Sequence, residues 1–505
     1  MTLVTEKHTP EPPLPPTRGP SFFKGVMFTG TGTAFNIVFL FLETMIAVRM
    51  LDTESYGIYA LLIVVVSFLV MVTDFGSTTA VTQLLVNADP ARQSTLASSV
   101  MVFRFAVAAL VSIIVLFIPA AMFLVDPSLA VVEYAIYIPM MLIVVSLDES
   151  LQAMLQGHQA FNHMAMANGV RSILRLGLSA AFLLILHLGM KGLIYSWTIS
   201  FGAAVIYEFM VMPRPGRFSL SKQILGEVLR FGFPLQLNRV LWFVSSRVDV
   251  LLVGAFLGPS AVALFDVASR IPNALQRLVQ ADTAVFFPKM TELLAGQDKS
   301  EAHHLLNRSL RLISFVIAVS ALVAVVFSKQ IVTMLFSEKY AGASWIFALL
   351  MIGLQMNSLV TLMGYSLTSA GHPGRSLTTN AIREAMIIIS DLVLIPLIGL
   401  AGPAWGRLAA YYVANPISVW MLRRSQIMVS TASYIKQTAL LWLGVAITWW
   451  AQPEGFVARF GIVATFVALS IIWSTITRDD VELLSPRLVM RRRRSRKEIV
   501  RQGNA

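Results

Sequence analysis

The sequence predicts an all-α integral membrane protein of about fourteen transmembrane helices, built as two six-helix lobes in a parallel repeat plus two C-terminal helices. Three observations predict it. Of 505 residues, 56% are hydrophobic and only 13% charged, with a mean hydropathy of +0.72, whereas a soluble chain carries about 25% charged residues. Uncharged runs such as 106–125 exceed the ~18 residues needed to cross a bilayer. Finally, two stretches about 210 residues apart carry the same anchors in the same order. Gly157-His158, Asn168-Gly169-Val170-Arg171 and Gly189-Met190-Lys191-Gly192 recur as Gly371-His372, Asn380-Ala381-Ile382-Arg383 and Gly399-Leu400-Ala401-Gly402, at offsets of 214, 212 and 210. Residues 51–61 lie over 257–267 in the same way. In a membrane chain such duplication marks two similar lobes with a site between them.

Taken in order, residues 1–24 form a Pro-rich leader, with six prolines up to Pro20. It reads as a disordered cytoplasmic segment, without the apolar core and small-residue cleavage site of a signal peptide. Fourteen apolar segments follow, at 25–48, 56–80, 95–122, 130–155, 165–187, 192–212, 231–254, 261–286, 309–328, 344–368, 378–398, 403–422, 435–451 and 457–476. Lipid offers no partner to open backbone groups, so these are helices rather than strands. Segments 1–6 make the N-lobe (25–212), and a cytoplasmic linker (213–230) leads to the C-lobe of segments 7–12 (231–424). Segments 13 and 14 (425–477) have no counterpart in the repeat. The tail, 478–505, carries Arg491 to Arg494, Arg496 and Lys497.

Basic residues set the orientation. With the N-terminus inside, thirteen fall in cytoplasmic loops and six in the opposite ones, so both termini are expected in the cytoplasm. Six helices per copy is an even number, so both copies insert the same way up. The net charge of +12 does not point to nucleic acid. The basic tail follows the last apolar segment and reads as an anchor on anionic lipid headgroups.

Charged residues inside such segments face a cavity or a partner, because a charge at mid-bilayer costs about 2.5–3.5 kcal/mol. Segment 8 is the clearest case. Asp266, Arg270, Asn273, Arg277 and Gln280 recur at helical spacing as one polar stripe, which suggests an aqueous lumen. An interfacial helix lying on the headgroups is the alternative. Segment 7 offers Asn238, Trp242, Ser245 and Asp249 with Arg239 beside them, while Arg247 projects to the opposite side. Segment 1 offers Thr29, Asn36 and Glu43, and segment 2 offers Asp74, for which a cap or loop-pinning role is equally open. Arg171 and Arg383 read as structural or headgroup contacts. Asp148, Glu149, Glu384 and Asp391 have no evident partner in the sequence.

Enzyme signatures are missing. There is no phosphate loop and no Gly-x-Ser-x-Gly elbow, and Gly30-Thr31-Gly32 sits in an apolar helix. The chain has no cysteine, and its seven histidines lack zinc-site spacing. No loop is long enough for a separate soluble catalytic domain. A transporter without metal or cofactor is therefore the expectation, not an enzyme.

The run Arg49-Met50-Leu51-Asp52-Thr53-Glu54-Ser55-Tyr56-Gly57-Ile58-Tyr59-Ala60-Leu61, followed by Thr73-Asp74-Phe75-Gly76, resembles the opening of Wzx-type polysaccharide transporters. Leu257-Gly258-Pro259-Ser260-Ala261-Val262-Ala263-Leu264-Phe265-Asp266-Val267-Ala268 and Phe287-Pro288 resemble segment 8 of the same group. These lipid-linked oligosaccharide flippases belong to the multidrug/oligosaccharidyl-lipid/polysaccharide exporter superfamily. The resemblance implies a two-lobed transporter with a cavity lined by segments 1, 2, 7 and 8. It further implies alternating-access transfer of a polyprenyl-diphosphate oligosaccharide across a bacterial inner membrane, for O-antigen, capsule or exopolysaccharide. On that reading Arg239, Arg270, Arg277, Asn273 and Asn36 bind substrate. Glu43, Asp249, Asp266 and Asp74 line the cavity or couple transport to protons or sodium. A drug/cation antiporter of the same superfamily and a lipid II flippase are the alternatives.

Overall fold

The computed structural model describes residues 36–86, 88–123, 134, 136–212, 220–296 and 299–473. The leader 1–24 and the tail from 478 lie outside the described residues, as does Thr29. Every regular element among the described residues is helical. Helix α1 covers 36–50; then come α2 (Thr53–Asp74), α3 (Ser77–Val86), α4 (Pro90–Phe123), α5 (Ile138–Gly157), α6 (Phe161–Ala180, prolonged by the π-turn Ala181–Ile185) and α7 (Gly189–Val211). The second half holds α8 (Lys222–Leu257), α9 (Pro259–Ala295), α10 (Ser300–Val326), α11 (Ser328–Phe336), α12 (Ser344–Ser369), α13 (Pro373–Ile398), α14 (Ala401–Arg424), α15 (Ala432–Ala451) and α16 (Phe456–Ile472).

Each of the fourteen apolar segments falls on a helix, segment 2 on both α2 and α3. Among the described residues, seven helices are long and apolar enough to cross a membrane, or eight when α8, bent between Leu241 and Ser246, counts as one span. Local chemistry places the ends. Asp52 caps α2, its carboxylate accepting from the Ser55 amide at 2.9 Å and the Ser55 hydroxyl at 2.6 Å. These bonds hold its pKa below the usual carboxylate value. Ser221 caps α8 through the Ile224 amide. Pro272 and Pro288 lie inside α9, each removing one amide donor from the helix ladder.

Packing repeats between the two halves. In the first, α4 packs on α5, α5 on α7 and α6 on α7; in the second, α10 packs on α12, α12 on α14 and α13 on α14. Helix α2 crosses between them, against α9 on one side and α8 on the other. The core is distributed unevenly along the bundle. Towards the α1–α2 turn one continuous apolar cluster joins both halves, with Tyr56, Ile58 and Leu62 packed beside Val262, Phe265 and Phe347. Towards the α2–α3 turn each half has its own cluster. Val81, Leu85, Val100 and Leu155 form one, and Met290, Leu306, Met363 and Leu422 the other.

Two backbone contacts set how closely the halves approach. A Cβ on Gly57 would lie 1.8 Å from the Pro259 carbonyl oxygen, and one on Gly76 would lie 1.9 Å from that of Gly232. Gly76 also has φ +75°, a region a side chain resists. Gln236 completes this second contact. Its side-chain oxygen accepts from the Gly76 amide at 2.9 Å and its amide donates to the Met71 carbonyl at 2.7 Å.

Gly57→Ala and Gly76→Ala should each lower stability by ~2 kcal/mol or more, because backbone atoms cannot yield as a side-chain tip does. Gly202→Ala and Gly226→Ala, which meet open space, should be nearly neutral. Thermal melts of the detergent-solubilised protein, followed by size-exclusion chromatography, distinguish these outcomes.

Candidate substrate and coupling site

Charged side chains gather where the first half of the chain meets the second. At the α2–α3 turn, Asp74 Oδ1 accepts from the Ser77 hydroxyl and the Thr78 amide, both at 3.1 Å, and so caps α3. Its Oδ2 accepts from the Thr78 hydroxyl at 3.0 Å and from Arg239 of α8 at 2.7 Å. The other nitrogen of Arg239 reaches both oxygens of Glu149 on α5, at 3.2 and 3.1 Å. Behind them Arg104 of α4, with no exposed side-chain surface, lies 3.4 Å from Asp74 and 3.3 Å from Glu149. Two arginines and two carboxylates thus neutralise one another, as burial requires.

Nearer the α1–α2 turn the Tyr56 hydroxyl donates to Asp266 of α9 at 2.6 Å. Arg270 donates to the same carboxylate oxygen at 2.9 and 2.7 Å and to the Tyr56 oxygen at 3.0 Å. In the first half, Glu43 of α1 lies 2.7 Å from Arg175 of α6 and accepts from Ser179 at 3.1 Å. Arg175 donates onward to the Tyr59 hydroxyl at 3.1 Å. The second half has a parallel arrangement. Asp249 of α8 is bonded to Arg407 of α14, and Asp391 of α13 is fully buried with neither carboxylate oxygen hydrogen-bonded. The offset that lays Leu51 over Leu257 also lays Glu43 over Asp249.

Two cations stand apart. Arg247 of α8 feels the charges of Asp266, Arg270, Asp249 and Arg277, and Arg277 of α9 feels that of Arg270. Among the described residues neither has an ion-pair partner. Asp266 is committed to Arg270 and Asp249 to Arg407, so this region carries a surplus of positive charge. Guanidinium groups in such a place suit phosphate oxygens, which they can grip with two parallel hydrogen bonds.

A family profile described as polysaccharide biosynthesis protein matches residues 22–294, more than half of the chain. The chain belongs to that family. It is 21% identical over 325 residues to the probable low-salt glycan biosynthesis flippase Agl15 of Haloferax volcanii, a match covering 61% of this chain and 67% of Agl15. An uncharacterized membrane protein of Methanocaldococcus jannaschii, MJ1068, is 21% identical over 44% of this chain and 45% of its own length. Among solved structures, the lipid II flippase MurJ in an inward closed conformation superposes with a TM-score of 0.69 at 14% identity, over 90% of this chain and 99% of MurJ. An inward-facing MATE transporter of the MOP superfamily gives 0.64 at 16% identity, over 77% of this chain and 94% of that one. The fold is that of these multi-pass membrane transporters.

The structure distributes the sequence-derived residues unequally. Asp266, Arg270 and Arg277 do share one region, and Asn273 on the same helix is exposed. Arg247 lies near enough to feel Asp266 and Arg270, although the straight-helix projection sets it on the far side of α8. Asp74 is a cap and an ion-pair partner, and Arg239 is held by Asp74 and Glu149 in this conformation rather than free. Asn36 donates to Ser172 at 2.9 Å, joining α1 to α6. Asp148 is paired with Arg171 at 2.6 Å and Glu384 with Arg383 at 2.6 Å. The sequence reading passed over Arg104 and Arg175 and counted Arg407 among the loop residues, although Arg104 and Arg407 are lone charges within apolar segments, which is the signal that marks a buried partner.

Removing one partner from a buried ion cluster leaves the others uncompensated, so Arg104→Met should cost about 3–5 kcal/mol. Arg92→Ala breaks the exposed pair with Glu227, whose side chains are 45% and 42% accessible, and should cost less than about 1 kcal/mol. Melting temperatures of the two variants test the contrast.

Proposed function

We propose that this chain is a flippase that carries a polyprenyl-diphosphate-linked oligosaccharide from the cytoplasmic to the outer leaflet of a cell membrane for surface polysaccharide assembly. The observation that carries the reading is the surplus cationic charge of Arg247 and Arg277, in a chain of the polysaccharide biosynthesis family. A diphosphate cannot cross hydrocarbon unaided, and unpaired guanidinium groups provide its attraction away from water. Arg270, locked to Asp266 and Tyr56, positions that end of α9 and adds field rather than a free hand. The glycan flippase likeness of Agl15 supports the substrate class.

Two lobes, 25–212 and 231–424, fourteen spans and cytoplasmic termini form the framework of this proposal, supported by the repeated packing and the distribution of basic loops. The halves share a core towards the α1–α2 turn, which the basic loops make the outer side. On the cytoplasmic side they are bridged chiefly by Arg239 and the Gly76–Gly232 contact. Alternating access then requires breaking a polar bridge on one side and an apolar one on the other. Of the carboxylates a drug/cation antiporter would use for its cargo, Glu43, Asp249 and Asp266 each already hold an arginine, and Asp391, which has no hydrogen bond, is fully buried.

In a strain lacking its own flippase and complemented with this gene, Arg247→Ala combined with Arg277→Ala should reduce surface polysaccharide about tenfold or more, with protein level unchanged. Lysine at both positions should restore export in part, since it keeps the charge without the bidentate fork. Undiminished export by the double alanine variant overturns the assignment.

A further inference from the structure

A cationic cavity lies far from these arginines along the chain, at the α12–α13 turn and the end of α14. It has a volume of about 360 Å³ and is lined by Lys299, His372, Arg375, Arg424 and Ser425 with a few apolar and amide groups. Among the described residues no aspartate or glutamate lines it. Among the described residues none of Lys299, Arg375 and Arg424 has an ion-pair partner. Arg375 donates one guanidinium nitrogen to the Ser425 hydroxyl, which holds the group in place. Arg424 lies over the Trp420 ring at 5.5 Å, a contact that leaves its N–H edge unoccupied.

Arg424 is not there to satisfy the end of its own helix. The last carbonyls of α14 already accept from the backbone amides of Ser425, Gln426 and Ile427. On the opposite wall α13 begins at Pro373, so the positive end of a 26-residue helix adds to the same field. Three permanent cations and a helix N-terminus around one cavity repel one another. The natural resolution is a bound multivalent anion.

We infer that this cavity is a phosphate-binding site, distinct from the flipping site and independent of the proposed transport reading. Its ligand is a phosphate group carried either by an anionic lipid headgroup or by a small water-soluble phosphate. The basic-loop rule puts the cavity at the cytoplasmic surface, where both sources occur. The side-chain chemistry fits either. Arg375 and Arg424 offer planar forks to phosphate oxygens and Lys299 a mobile point charge, while the Ser425 hydroxyl, which donates to the Met421 carbonyl, serves to hold Arg375.

The test uses the full-length protein in neutral detergent with three probes: cardiolipin, phosphatidylcholine and inorganic phosphate. Native mass spectrometry counts bound lipid, and thermal melting reports phosphate. Wild-type protein should bind cardiolipin or phosphate about tenfold more tightly than the triple variant Lys299→Gln, Arg375→Gln, Arg424→Gln, with phosphatidylcholine equal in both. A difference for cardiolipin that excess phosphate does not compete away identifies the lipid source. A difference for phosphate itself, or competition by it, identifies the soluble one. The single variant Lys299→Gln, at an exposed position before α10, should alone weaken the same probe about threefold, and it tests the site even if the triple variant fails to fold. Lys222→Gln with Arg230→Gln, elsewhere on the same surface, should change nothing. Equal affinity of wild type and both site variants for cardiolipin and for phosphate overturns the proposal.

Discussion

The architecture rests on one constraint: a charge removed from water into an apolar bundle must find its opposite within a few ångströms. Arg104 shows the constraint at its strictest. It has no exposed side-chain surface, and it is tolerated because Asp74 and Glu149 stand 3.4 and 3.3 Å away. Those carboxylates are shared with Arg239, which comes from the other half of the chain. The fold of the first half and its docking to the second are therefore parts of one electrostatic arrangement. Removing the interior arginine alters the bridge as well as the helix that carries it.

The same principle explains why the two ends of the boundary differ. Apolar contact is tolerant of direction, so a single cluster can join α2, α9 and α12 over a broad area. A hydrogen-bonded ion pair is directional and short-ranged, so it holds only at a fixed separation. The boundary thus combines one broad apolar joint with a narrower set of directional polar contacts. Gly57 and Gly76 make both contacts close, since neither tolerates a side chain at the crossing.

Much of this was legible in the sequence. Apolar run lengths gave the helical segments, of which seven or eight among the described residues are long and apolar enough to span a membrane, and helical spacing gave the α9 stripe from Asp266 to Arg277. Periodicity reports which face of a helix is polar but not which partner that face meets. Tyr56 and Asp266 are 210 residues apart, Asp249 and Arg407 158. No rule of local spacing joins such pairs. The straight-helix projection set Arg247 apart from the Asp249 face, but spacing along one helix does not report how closely the neighbouring helix packs against either side. Asp74 was correctly left open as a cap, because its place before Ser77 and Thr78 is a local signal.

Pro272 lies between the locked half of the α9 stripe and the free half. With no amide to donate, it leaves the Ala268 carbonyl without its rung, just where the stripe passes from Arg270 towards Arg277. A helix missing a rung is softer at that point. Small flexures there change the spacing between an arginine fixed by Asp266 and one that has no fixed partner. Curvature at Pro272 thus sets the distance between two positive charges that the sequence spaces only two turns apart.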